Sequence, residues 1–105
     1  MKLFIIAMIT LLLGLVGMGI MHEQVHVQIY KSYGVDSHVE YFSHFPDLVT
    51  FTDEPCPTAE CTLANNMNEV VGYPLMVFYC IFGSLFVMLI LLVELYLEEI
   101  SRKLD

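Results

Sequence analysis

Basic residues are scarce in this sequence: four Lys and Arg stand against twelve Asp and Glu, for a formal net charge of -8. A chain so acidic has nothing with which to neutralise a row of phosphates, and this excludes nucleic acid as a partner. Cysteine is rarer still, at three residues, which excludes a four-cysteine zinc site. Charge of either sign is missing altogether from Leu3 to Met21 and again from Val70 to Val93. With 57% hydrophobic content, two such runs exclude an ordinary soluble fold. Each run has the roughly 20 residues that a helix needs to cross about 30 Å of hydrocarbon. No A-x-A-like site precedes His22, which argues against reading the first run as a cleaved signal peptide. Internal repeats are also lacking.

What is present predicts an all-α membrane protein, a two-helix transmembrane hairpin with an extended, partly irregular extramembrane loop, in a single membrane domain of 105 residues. The first transmembrane helix covers about residues 3–21. Neither Pro nor Gly interrupts the sequence from His22 to Tyr33, so the helix continues out of the membrane until Gly34, a natural left-handed cap. A loop over 34–57 follows, with short strand-like pieces around His38–Phe42 and Leu48–Thr52. Thr58 is placed as N-cap of a helix over 58–71, with Glu60 suiting its positive dipole end. Gly72 and Pro74 predict a kink before a second transmembrane helix over about 73–96 and a helical tail over 97–105. Gly14, Gly17, Gly19, Gly83 and Ser84 offer small surfaces for close approach of the two spans.

Lys2 precedes the first span, and Arg102 and Lys103 follow the second. The positive-inside rule then puts both termini in the cytoplasm and the loop outside. An exported loop allows Cys56 and Cys61 to pair as a disulfide; two free thiols are the alternative. Cys80, inside the second run, reads as a small apolar residue.

The sharpest chemical signal is His22-Glu23-Gln24-Val25-His26, an H-E-x-x-H pattern on a segment already expected to be helical. Spacing of i, i+4 puts both imidazoles on one face, able to grip one zinc ion, with Glu23 beside them to take a proton from water. Catalytic zinc takes a third protein ligand. In an antiparallel hairpin the start of the second helix lies beside the end of the first, which brings Glu69 to the level of His22 and His26. Asn65, Glu69 and Tyr73 share one helical face at steps of four. Tyr73, His38, His44 and Tyr33 are candidates to stabilise an oxyanion; His38 and His44 read more readily as surface loop histidines, with replacement of Glu69 as third ligand the alternative for either.

HEQVH followed by MNEVVGY resembles the two-helix signature of the gluzincin metallopeptidases, H-E-x-x-H with a later N-E-x-x-[SG]. The resemblance implies His22, His26 and Glu69 as zinc ligands, Glu23 as general base, and Asn68 as the family's residue before the ligand Glu. The segment from Gly19 to Gly34 is also similar to the H-E-x-x-H helix of site-two intramembrane metalloproteases. Their later Asp-Gly ligand motif has no counterpart here.

The expected function is therefore a small membrane zinc metallopeptidase acting on a protein or peptide substrate, in contact with membrane lipid. The competing expectation is a non-enzymatic subunit of a homo-oligomer or larger membrane complex, holding a structural metal or none. Two helices bury little surface between them, and such a chain often needs partners. Metal sensing or delivery, with the acidic loop attracting cations, is a third.

Overall fold

An unbroken apolar run followed by HEQVHVQIYKS carries the first helix, α1, over Lys2–Ser32, 31 residues. Its end is fixed by Gly34, whose φ of 76° lies in the left-handed region that side chains disfavour. The Gly34 N–H donates to the Lys31 carbonyl at 3.0 Å and the Val35 N–H to the Tyr30 carbonyl at 2.9 Å. This crossed pair is the Schellman motif, and Val35 is buried behind it. The computed structural model describes residues 1–42 and 48–105.

The expectation of an all-α chain is too narrow. Strands β1, Ser37–Tyr41, and β2, Leu48–Thr52, pair antiparallel, with His38 opposite Phe51 and Val39 opposite Thr50. Both segments are rich in β-branched and aromatic residues, and pairing satisfies backbone groups that would otherwise face only solvent.

The second helix, α2, spans Ala59–Leu104, 46 residues. Thr58 caps it: the Thr58 hydroxyl accepts from the Cys61 N–H at 3.1 Å. Glu60 stands in the first turn. The helix expected over 58–71 and the second transmembrane helix are one continuous element, with Gly72 and Pro74 inside it. A proline forfeits one backbone bond, and the long helical segments on either side retain theirs.

The chain divides into two compact units. One comprises Met1–Val16 and Met76–Asp105. Here the Glu94 carboxylate accepts from the Leu3 and Phe4 N–H groups at 2.8 and 3.0 Å, satisfying two free donors of the first turn of α1. The Tyr79 hydroxyl donates to the Leu11 carbonyl at 3.0 Å. A Cβ on Gly14 would collide with Tyr79 and one on Gly83 with Leu11, whereas Gly17, in the other unit, has open space around it. That other unit, Gly17–Leu75, contains the β-hairpin and the candidate site.

Both helices are long and apolar enough to cross a membrane, and their most apolar windows are 0% and 6% buried. Leu13, Val77, Phe82, Phe86 and Leu92 are all more than half exposed.

Candidate metal centre

α1 and α2 run antiparallel within the second unit, so successive turns of one face successive turns of the other. His22 and His26 lie one turn apart on α1, and both are buried, at 7% and 8% exposure. Asn65 and Glu69 hold the matching positions on α2. The Nε2 atoms of both imidazoles converge on one atom, Glu69 Oε1: His22 lies 3.1 Å away, and His26 is in direct contact. Ligand atoms from the three residues all lie within 4.8 Å of one another. A single cation can touch all three.

The rings are wedged in place. The two imidazoles meet edge to face at 4.9 Å, and Tyr73 packs on His22 at 5.3 Å. His22 Nδ1 is buried without a hydrogen-bond partner and presses on Gly72, where a Cβ would overlap the ring. The Asn68 amide donates to the His22 carbonyl at 3.2 Å. On the other side, His26 Nδ1 lies 2.6 Å from Asn65 Oδ1, and Cys56 and Cys61 are joined as a disulfide beside Asn65.

Burial pushes the Glu69 carboxyl up, but the polar contacts it makes with His26, His22 and Tyr73 outweigh it and hold the group below the ordinary carboxylate range. Glu69 is therefore an anion at neutral pH, the form that ligates a metal.

A cleft of about 290 Å³ opens beside the cluster, lined by Glu23, His26, Tyr30, Thr50, Glu69 and Tyr73, with Leu48 and Val49 at its wall. Glu23 is fixed there by β2, since the Thr50 hydroxyl donates to Glu23 Oε2 at 2.5 Å. Among the described residues, the group that could hold a metal has three members, so no fourth ligand from them closes it.

No family model, curated protein or solved structure matches this chain. The donor set itself is what fits a metal. Two imidazole nitrogens and a carboxylate oxygen suit zinc, and three protein ligands leave a coordination position for water or substrate.

Of the residues singled out in the sequence, the structure brings together His22, His26, Glu69, Glu23 and Tyr73. His38 is elsewhere. Thr50 turns its side chain towards Glu23, so strand alternation sends Phe51 to the opposite face of β2. His38 is paired with Phe51 and stacks on it at 6.0 Å, 62% exposed and 3.7 Å from Glu40. Tyr33 is not among the residues lining the cleft, and His44 lies outside the described residues. Tyr30 and Thr50 are additions. The first follows His22 and His26 at the same step of four on α1; the second occupies a half-buried position of the alternating LVTFT strand.

Proposed function

We propose that this chain is a two-pass membrane zinc peptidase, related in its site to the gluzincin pattern, which hydrolyses peptide bonds at the membrane surface. The observation that carries the reading is the convergence of His22 and His26 on one oxygen of Glu69, at the edge of a cleft that also contains the Glu23 carboxylate.

His22, His26 and Glu69 would hold the zinc. Bound there, the ion supplies a Lewis acid that lowers the pKa of water and polarises a carbonyl. Glu23, oriented by Thr50, takes the proton from the attacking water and returns it to the leaving amine. Tyr73 presents a hydroxyl in the cleft as a donor to the oxyanion that forms on the carbonyl. The two apolar helices would seat the centre at the bilayer, with the termini in the cytoplasm, as the Lys2, Arg102 and Lys103 positions favour.

The test is hydrolysis of a peptide library by the full chain in liposomes, loaded with zinc, beside Glu23→Gln. Zinc-dependent cleavage by the wild type and none by a Glu23→Gln variant that retains zinc is the expected result. A zinc-loaded wild type that cleaves nothing overturns the enzymatic reading in favour of a structural metal in a non-enzymatic subunit.

A further inference from the structure

Asn65 is a buried polar residue, at 8% exposure, that the chemistry above leaves unused. Its hydrogen bonds have only one consistent assignment. The Asn65 amide nitrogen donates to the Cys61 carbonyl at 3.1 Å, with the Cys56 and Cys61 sulfurs at 3.4 and 3.8 Å. A carbonyl only accepts, which fixes the nitrogen on that side. The amide oxygen therefore faces His26 Nδ1, 2.6 Å away. An amide oxygen also only accepts, so the hydrogen between them sits on His26 Nδ1.

A neutral imidazole carrying its hydrogen on Nδ1 has a bare lone pair on Nε2. That Nε2 faces Glu69 Oε1, another lone-pair atom. With the opposite tautomer, His26 would simply donate a hydrogen bond to Glu69. With this one, neutral His26 sets two acceptors face to face, and either a proton on Nε2 or a metal ion held by both atoms satisfies them, so the site exchanges one cation for the other. We infer that Asn65 is a positioning residue that selects the metal-binding tautomer of His26, and that the Cys56–Cys61 disulfide acts on the metal through it. The inference rests on the proposed metal reading.

The disulfide's part follows from the same contacts. It closes a short loop at the start of α2 and holds Cys61, which is fully buried. The Cys61 carbonyl is the anchor that orients the amide of Asn65. His22 has no such support, because its Nδ1 is without a partner. Removing an outer-shell partner of this kind weakens metal binding about 10- to 100-fold.

The test uses the full chain in detergent micelles and has two readouts. Long-range ¹H–¹⁵N spectra of the zinc-free protein report which His26 nitrogen carries the hydrogen; chelator competition reports zinc affinity. The wild type is expected to carry it on Nδ1. Asn65→Leu should lose that preference and bind zinc about 10- to 100-fold more weakly. In a Cys56→Ser/Cys61→Ser background, affinity should fall and Asn65→Leu should add little further loss. A wild-type His26 with its hydrogen on Nε2, or unchanged affinity in Asn65→Leu, overturns the inference and leaves the metal reading standing. A wild type with no zinc affinity overturns the metal reading, and the spectrum still decides the tautomer. Should Asn65→Leu fail to fold, the wild-type spectrum decides alone.

Discussion

The Thr50 hydroxyl lies 2.5 Å from Glu23 Oε2 and 3.2 Å from the Glu23 carbonyl, which ties the β-hairpin to the helix that carries both histidines. The carboxylate proposed as general base is thus held by a strand. Thr50→Val removes this donor while keeping the side chain's shape. We expect peptide hydrolysis to fall about tenfold, in line with the loss of a hydrogen bond to a charged group. Zinc content should be unchanged, and metal analysis beside initial rates checks both.

Gly72 is predicted to be intolerant of any side chain. A Cβ there would overlap the buried His22 ring, which has no space to retreat because Tyr73 packs on it. Gly72→Ala should displace His22 and lower zinc affinity at least tenfold. Gly17→Ala, where nothing lies within 4 Å, should bind zinc as the wild type does. Parallel chelator titrations separate the two.

How much of this was legible in the chain depends on how local each signal is. Helix α1 and both its ends follow from an uninterrupted apolar run and one glycine, and the Thr58 cap follows from the residues around it. The approach of Glu69 to His22 and His26 was readable because antiparallel helices match the end of one with the start of the other. His38 was misplaced because its face depends on strand register, and register is fixed by a partner strand. Pro74 marked a kink in the sequence, and α2 runs through it as one helix. Asn65 was visible as a member of a polar face, but its contact with His26 Nδ1 exists only once the two helices and the disulfide are assembled.

Acid should weaken the second unit through Glu69. Its carboxyl is held below the ordinary range by His26, His22 and Tyr73 against the opposing effect of burial. The charged form is therefore favoured by folding, and this contribution is complete above the unfolded carboxyl value and is lost as pH falls through the folded one. Chemical denaturation of the zinc-free chain should show stability declining below about pH 4.5, with a shallower decline in Glu69→Gln. Equal slopes in the two proteins would remove Glu69 from the account.

In the first unit, Tyr79→Phe removes the bond to the Leu11 carbonyl and should destabilise the helix pair by about 1 kcal/mol. Zinc affinity should not change. Thermal unfolding monitored beside metal content checks the separation.

The most direct measurement is zinc per chain in purified wild type and Glu69→Ala, because the whole chemical reading depends on a carboxylate from α2 completing the pair of imidazoles on α1. The account predicts about one zinc in the wild type and essentially none in the variant. Equal zinc in both proteins, or none in either, would contradict it.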